Sequence, residues 1–438
     1  MTAFLGFLYS IITALFFGFL NKEKEFRCFF AIPLGFGFCS ILYFLFLLTG
    51  ISNITIYKIF EFLLVIIAAF VIFTNKNFHN FCIELPKKIS LPLASANLLA
   101  LMIFLKFYIN SPLGNWDGFR MWNTKAEFMF RDITLWKNMF LQPHFLSHND
   151  YPLFTPASVA RIWQYAGSDN SVFNAFFYLI LTFGIIYFVY FTIKHFKNKK
   201  LAMLTTLILM LTPAFLVKGA AQCADIPLAY FILASTVSLF LYFEKEKNSF
   251  LVLSTIFAGF CGWVKNEGLM FFAIFLAVTG TYFFLKKYYK KIGIMLVSAM
   301  PFVILICIFK SVCKTPNDLV QGFFVLKSYT HLFQAHYYIM IIKTFAHMFV
   351  ERFSVVFVSL ALMLKGFSIP EKIKTPLILS GIIFILTCSG YFMTYVLSPH
   401  DLDWLLTYSL DRIILHVLPL FLFLYALCLK IGQEDTEN

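Results

Sequence analysis

The sequence predicts an all-α polytopic membrane protein with about 13 transmembrane helices and no soluble domain. Of its 438 residues, 60% are hydrophobic and only 13% are charged, whereas soluble domains carry about 25% charged residues. The apolar residues occur in repeated runs of about 20, the length that an α-helix needs to cross a bilayer. A β-barrel would require ten-residue segments of alternating polarity, and these runs are continuously apolar.

The predicted spans follow one another along the chain without an internal repeat. The first has no preceding Lys or Arg and no small-residue cleavage site, so we expect it to be retained rather than removed as a signal peptide. The spans cover residues 2–20, 28–49, 57–74, 91–109, 172–193, 201–217, 226–243, 249–264, 268–285, 292–310, 340–364, 376–397 and 411–429.

The net charge of +13 comes from short basic clusters between the spans, which indicates membrane topology rather than binding of nucleic acid. With the N-terminus outside, 20 of the 35 Lys and Arg residues fall in the inner connections. The opposite orientation would put these clusters outside, against the positive-inside rule. The long polar segment 110–171 is therefore predicted to lie outside the cytoplasm, together with the turns at 218–225 and 264–267 and the segments 311–339 and 398–410.

The outer segment begins with Asp117 between Trp116 and Gly118, directly after the fourth span. A carboxylate at the lip of a span is partly desolvated yet still reaches water, which suits a general base. A helix cap is the alternative role. The apolar spacing of residues 119–130 predicts a helix that lies in the membrane interface. Trp116 and Trp122 are predicted to lie at the membrane surface.

Two pairs of residues in the outer segment are four positions apart, which would place the members of each pair on one face of a helix. Glu127 and Arg131 have opposite charges and are expected to pair. His144 and His148 have the spacing of two zinc ligands, but Pro143 disturbs the helix and no third ligand is evident. No metal site is therefore predicted.

Charged residues also stand at the ends of later spans. Asp225 precedes Pro227, which suits the first turn of a helix, so a capping role and a role as a second acidic site residue are both open. Glu267 is expected to pair with Lys265 or Lys218.

Lys343, His347 and Glu351 form a stripe at intervals of four on an otherwise apolar span. Such a stripe is expected to face the protein interior, as a buried ion network or as the lining of a polar cavity.

Several short motifs occur in the order found in a known family. They are Trp116-Asp117 followed by Trp122 and Lys125-Ala126, then Asp150-Tyr151-Pro152, Ala224-Asp225-Ile226-Pro227-Leu228-Ala229, Trp263-Val264-Lys265-Asn266-Glu267-Gly268, and Asp411-Arg412 with Pro419. This pattern, from about residue 95 to 425, resembles the GT-C membrane glycosyltransferases. Within them it resembles bacterial relatives of the dolichyl-phosphate-mannose protein mannosyltransferases and of the aminoarabinose transferases. One departure is that three spans precede the predicted first helix of the core.

The resemblance implies three parts in the chain. Residues 1–90 would hold extra N-terminal transmembrane helices. Residues 91–310 would form a GT-C-like catalytic core that includes the outer loop 110–171 with its interfacial helices. Residues 311–438 would complete a groove for a lipid carrier.

The resemblance also implies an inverting transfer of a hexose or pentose from a polyprenyl-phosphate carrier to an acceptor glycan, lipid or protein, at the extracytoplasmic face of a bacterial inner membrane. No cofactor is implied beyond the lipid-linked sugar donor, and dependence on a divalent metal stays open. Asp117 and Asp225 would be the catalytic carboxylates, with Asp117 as the general base. Lys265 and Arg412, at the outer ends of spans, would hold the lipid phosphate. The residues expected to bind substrate are Trp116, Arg120, Trp122, Lys125, Asp150, Tyr151, Lys265, Glu267, Arg412 and His416.

Two other classes of protein remain open. A transporter or lipid flippase would carry charges or broken helices near the bilayer midplane and often inverted repeats, whereas here the acidic residues stand at helix ends. An O-antigen polymerase or ligase would use a large late outer loop with basic residues, and the segment 311–339 is a candidate for such a loop.

Overall fold

The computed structural model describes residues 1–21, 23–74, 91–141, 148–314, 329–364 and 366–430. Apart from an isolated bridge between Phe367 and Leu429, these described residues contain only helices and their connections. The all-α fold class predicted from the sequence is confirmed.

The helices follow the predicted spans closely, with a shorter set in the outer segment. A π-helix at Gly118–Asn123 precedes α5, and a 3₁₀-helix at Trp136–Phe140 follows it. The α-helices of the described residues are α1 (Thr2–Phe19), α2 (Arg27–Leu48), α3 (Ile54–Thr74), α4 (Leu91–Asn110), α5 (Thr124–Arg131), α6 (Phe154–Ala166), α7 (Ser171–Phe196), α8 (Lys199–Met210), α9 (Pro213–Ala220), α10 (Asp225–Lys245), α11 (Asn248–Val264), α12 (Asn266–Leu285), α13 (Tyr289–Cys313), α14 (Ala335–Met363), α15 (Glu371–Val396) and α16 (Leu402–Cys428).

Ten of the described helices are long and apolar enough to cross a membrane, and up to twelve spans result if each of two bent pairs is one span. In the first pair, α8 and α9 meet at 61°, and in the second, α14 bends by 77° between Ala335–Ser354 and Val356–Met363. Helix α11 was predicted as a span but has only 17 residues. The protein is therefore multi-pass, and the number of 13 spans stays a prediction. The segment 311–339 lies partly outside the described residues, so its role as a late outer loop stays a prediction too.

Helix α16 begins earlier than the sequence suggested. The carboxylate of Asp401 caps its first turn by accepting a hydrogen bond from the backbone N–H of Trp404 at 2.8 Å. The added turns carry a buried face of Leu402, Leu406 and Leu410 at intervals of four residues. Arg412 consequently lies about 15 Å along the helix from its start, and its position at the outer end of a span stays a prediction.

The chain divides into two compact units. The first unit consists of Met1–Phe188 and Val217–Pro227, and the second of Val189–Leu216 and Leu228–Asn438. In the first unit, α1, α2 and α6 pack against one another, and α5 packs on α6. In the second unit, α11 packs on α12 and α13, while α15 packs on α12 and α16. The predicted division at residues 90 and 310 is not tested by these units and stays a prediction.

Candidate active site

Asp117 lies in the first unit, at the start of the π-helix that follows α4. Its side chain is half-buried, and the neighbouring Trp116 is exposed, as predicted for an interfacial residue. Among the described residues, Asp117 makes no side-chain capping hydrogen bond to the π-helix. The capping role is therefore not supported, and the side chain remains partly accessible to solvent.

The turn that carries Asp117 is held against the backbone of residue 221. The Asn115 N–H donates to the Ala221 carbonyl oxygen at 3.3 Å, and the Gly118 N–H donates to the Asn115 Oδ1 at 2.8 Å. Gly114 has φ +86°, and a Cβ at Gly114 or Gly118 would run into the Ala221 carbonyl oxygen. Glycine is thus required at both positions, because the two backbones approach too closely for a side chain.

A buried polar network fixes the segment on which this turn rests. The Gln222 Nε2 donates to the Pro112 carbonyl at 2.8 Å, and its Oε1 accepts from the Asn123 Nδ2 at 2.7 Å and from the Asn174 Nδ2 at 3.2 Å. The Tyr178 hydroxyl donates to the Gln222 carbonyl at 2.8 Å. Gln222 also has φ +61°, which is rare for a residue with a side chain. Sequence reasoning missed this network, because it joins segments far apart along the chain.

Asp225 follows this network at the first turn of α10 and is fully buried. The helix begins at Asp225, as the position of Pro227 predicted. Asp117 and Asp225 therefore belong to the same compact unit, on segments that meet at Ala221.

Three aromatic rings of the outer segment stack on one another, with Trp122 buried and Tyr151 and His148 half-buried. Trp122 stacks on Tyr151 with ring centroids 5.8 Å apart, and Tyr151 stacks on His148 at 4.8 Å. Trp122 is fully buried, so its predicted position at the membrane surface was wrong. The Lys125 Nζ is buried below the Trp122 ring and donates to the His148 carbonyl at 2.7 Å. Asp150 is buried beside them.

The polar face of the outer segment is formed by α5 and its surroundings. The predicted pair between Arg131 and Glu127 is confirmed, with 3.8 Å between the charged atoms, and Arg131 also contacts Asp169 at 3.0 Å. Burial raises the pKa of Glu127 above its ordinary value, although the Arg131 guanidinium acts in the opposite direction. Arg120 is exposed on the adjacent π-helix, with its guanidinium 5.3 Å from the centre of the Phe119 ring.

In the second unit, a charged pair lies where α11 ends and α12 begins. The Lys265 Nζ is 2.9 Å from the Glu267 Oε1, and the Lys265 side chain is 3% exposed. Of the two predicted partners of Glu267, Lys265 is confirmed. The Lys310 Nζ donates to the Asn266 Oδ1 at 3.4 Å, which adds a second cation that the sequence motif did not indicate.

Arg412 and His416 belong to the same polar cluster of the second unit, and both are buried on α16. Glu267 interacts electrostatically with His416 as well as with Lys265. The Tyr395 hydroxyl interacts electrostatically with Glu267 and Arg412. Of the residues that the sequence predicted to bind substrate, Lys265 and Glu267 are therefore in direct contact, and the charges of His416 and Arg412 belong to the same electrostatic environment around Glu267 and Tyr395.

An apolar cavity of about 910 Å³ lies between α14, α15 and α16 in the second unit. Tyr391 and Tyr395 are part of its wall, and the Tyr391 ring packs against the ring of His416 with centroids 5.9 Å apart. These two tyrosines connect the cavity wall to the polar cluster. The arrangement offers charge for an anionic group and space for a hydrocarbon chain.

The charged stripe on α14 is exposed. His347 and Glu351 lie 3.8 Å apart, with side chains 81% and 61% exposed, and Lys343 is exposed as well. The prediction of a buried ion network was wrong, because the buried face of α14 is formed by apolar residues such as Ile341 and Met348.

Metal ligands were also sought in the part of the chain that the structure describes. No group of three or more His, Cys, Asp or Glu side chains able to hold a metal ion occurs there. His144 lies outside the described residues, so the spacing of His144 and His148 is not tested.

Residues 152–312 match the family model of the dolichyl-phosphate-mannose-protein mannosyltransferases. The match confirms the predicted resemblance to the GT-C superfamily, and it supports a membrane glycosyltransferase of this type. It includes Asp225, Lys265 and Glu267, whereas Asp117 and Arg412 lie outside it. The chain has no significant match among curated proteins or among solved structures.

Proposed function

We propose that this protein transfers a sugar from a polyprenyl-phosphate carrier to an acceptor hydroxyl, at the extracytoplasmic face of a bacterial inner membrane. The observation that carries this proposal is the buried cluster of Lys265, Glu267, Arg412 and His416 beside an apolar cavity of about 910 Å³. Cations suit a phosphate, and an apolar cavity suits an isoprenoid chain. The family match over residues 152–312 supports the reaction class.

The proposed reaction is a single displacement with inversion at the sugar. The acceptor oxygen attacks C1 of the sugar while the bond from C1 to the phosphate oxygen breaks, and the phosphate leaves with the bonding electrons. Asp117 takes the proton of the acceptor hydroxyl. Lys265 and Arg412 stabilise the negative charge that develops on the departing phosphate.

The other predicted site residues divide by exposure. Trp116 and Arg120 are exposed on the turn of Asp117, and we assign them to acceptor contacts. Four others are buried, namely Trp122, Lys125, Asp150 and Asp225, and the half-buried Tyr151 stacks on Trp122; we assign this set to support of the loop. Among them, Asp225 is assigned the role of orienting the base or the acceptor.

A transfer assay with Asp117→Asn tests the proposal. Membranes that contain the protein are incubated with polyprenyl-phosphate sugars carrying a radiolabel, and label in glycosyl product is measured. We expect Asp117→Asn to lower the rate by at least about 100-fold at unchanged yield and melting temperature. Asp169→Asn, which removes only an exposed partner of Arg131, should stay within about twofold.

The alternatives give different outcomes in the same assay. Full turnover by Asp117→Asn would remove the base assignment. Uptake of lipid-linked sugar into vesicles without any glycosyl product would favour a transporter.

Sidedness is tested separately in a chain whose own cysteines have been replaced. Asp132→Cys should react with a membrane-impermeant maleimide in intact cells, whereas Lys287→Cys should react only after permeabilisation. The reverse pattern would contradict an extracytoplasmic site.

A further inference from the structure

A buried charged centre joins α1, α3 and α6 within the first unit. Arg161 of α6 is 1% exposed, and its Nε donates to the Glu61 Oε1 of α3 at 2.9 Å. Its other two nitrogens donate to the Ser10 carbonyl at 3.0 Å and to the Thr13 hydroxyl at 2.6 Å, both on α1. The second Glu61 oxygen accepts a hydrogen bond from the Tyr165 hydroxyl. The two opposite charges thus compensate each other, and the hydrogen bonds of Arg161 connect α6 to α1 and α3.

A second set of buried bonds joins α2 to the outer segment. The Tyr43 hydroxyl donates to the Met129 carbonyl at 2.8 Å. The Gln164 Nε2 donates to the Phe130 carbonyl at 2.9 Å and to the Tyr43 hydroxyl at 3.3 Å. These bonds end on the last turn of α5, where carbonyl groups have no partner within the helix. Helix α2 therefore fixes the end of α5 together with α6.

The restraint continues beyond α5 and α6. The Trp136 Nε1 donates to the Leu47 carbonyl at 3.1 Å, so the 3₁₀-helix is tied to the end of α2. Helix α5 in turn carries Lys125, whose Nζ donates to the His148 carbonyl, two residues before Asp150. The bond of Lys125 thus connects α5 to the segment that carries Asp150.

We infer that helices α1–α3 are a positioning scaffold for the outer segment, and that Arg161, Glu61 and Tyr43 are its positioning residues. They hold α5 and α6 and, through these helices, the turn with Asp117 and the segment with Asp150. The inference rests on the proposed function in one respect only, namely that the outer segment binds the acceptor. It assigns a structural role to α1–α3, the three spans that precede the predicted core and that the family resemblance does not explain.

Amide hydrogen exchange of the purified full-length protein in lipid nanodiscs tests the scaffold without a substrate. Tyr43→Phe removes the bond to the Met129 carbonyl and the bond from the Gln164 Nε2, with little change in shape. We expect exchange in residues 124–131 to rise about fivefold, because the buried hydrogen bond to Met129 no longer opposes local opening. Tyr57→Phe is the matched control, since Tyr57 is equally buried with its ring 5.3 Å from that of Tyr43, and its hydroxyl makes no hydrogen bond among the described residues. Its exchange in residues 124–131 should stay at the wild-type level.

The charged centre is tested with the double variant Arg161→Met/Glu61→Leu, which leaves no unpaired charge and is expected to fold. Exchange should rise at least about tenfold in residues 118–131 and 154–166 and remain unchanged in residues 228–245. Arg161→Lys should give an intermediate rise, because it keeps the charge but loses the fork of donors.

Equal exchange in Tyr43→Phe and Tyr57→Phe, or a rise confined to α1 and α3 in the double variant, would overturn the scaffold. In the transfer assay, Tyr43→Phe should lower kcat while the KM for the polyprenyl-phosphate sugar stays constant. If the wild-type protein transfers no sugar, the proposed function fails, and the exchange data still decide on the scaffold.

Discussion

The two compact units hold their buried polar groups in different ways. In the first unit, Gln222, Tyr43 and Arg161 each bond to a backbone carbonyl of a distant segment. In the second unit, Lys265 and Arg412 belong to a cluster of charged side chains beside an apolar cavity. Hydrogen bonds to backbone carbonyls hold distant segments of the chain in place, whereas a cavity leaves space for a bound molecule. We interpret the first unit as a holder of one loop and the second as a receptor for a long apolar molecule.

The largest effect is expected from Gly118→Ala in the first unit. The new methyl group would overlap the Ala221 carbonyl oxygen, and neither backbone can move without breaking the network around Gln222. We expect a loss of at least about 3 kcal/mol of stability, measured as thermal unfolding in detergent. Gly390→Ala in the second unit is the comparison, because there the methyl group meets the flexible side chain of Met270 and should cost less than about 1 kcal/mol. Equal losses would contradict the distinction between the units.

A smaller effect is expected from Lys265→Met in the second unit. The variant leaves the Glu267 carboxylate without its nearest cation. Breaking a fully buried ion pair costs about 3–5 kcal/mol of folding stability. We expect a smaller loss of stability, about 2 kcal/mol, because the Glu267 side chain is 12% exposed. Lys265→Met/Glu267→Leu should recover most of this stability but still bind polyprenyl phosphate at least about tenfold more weakly. Wild-type affinity in the double variant would exclude Lys265 from the phosphate site.

The smallest effect is expected from partial filling of the cavity. Cys388 lies in its wall, and Cys388→Phe should weaken binding of a long-chain polyprenyl phosphate about fivefold, while a short-chain analogue binds as before. Cys307→Phe introduces the same side chain at an exposed position of α13 outside this wall and should change neither affinity. Equal binding of the long chain by both variants would show that the cavity does not hold the carrier.

Short-range patterns in the sequence predicted the helices and the local ion pairs. Hydropathy located most spans to within a few residues, because the bilayer imposes one length on all of them. The pairs of Glu127 with Arg131 and of Lys265 with Glu267 followed from spacing, since their members lie on the same or adjoining turns.

Contacts between distant segments could not be predicted in this way. Glu61 and Arg161 are 100 positions apart, and Asn123 and Gln222 are 99 apart. A charge within an apolar helix indicates that a partner exists, but one sequence does not identify it. Trp122 was assigned to the surface because an indole ring suits both an interface and a core.

The charge on Arg161 has a practical consequence for any shortened form of the protein. Similarity to the family begins at residue 152, and Arg161 lies just inside that boundary, but its counter-charge Glu61 and its partner Thr13 lie well before it. A chain trimmed to the region of similarity would keep a guanidinium group and lose the anion that neutralises it. The start of the family match is therefore not a suitable position at which to shorten this chain.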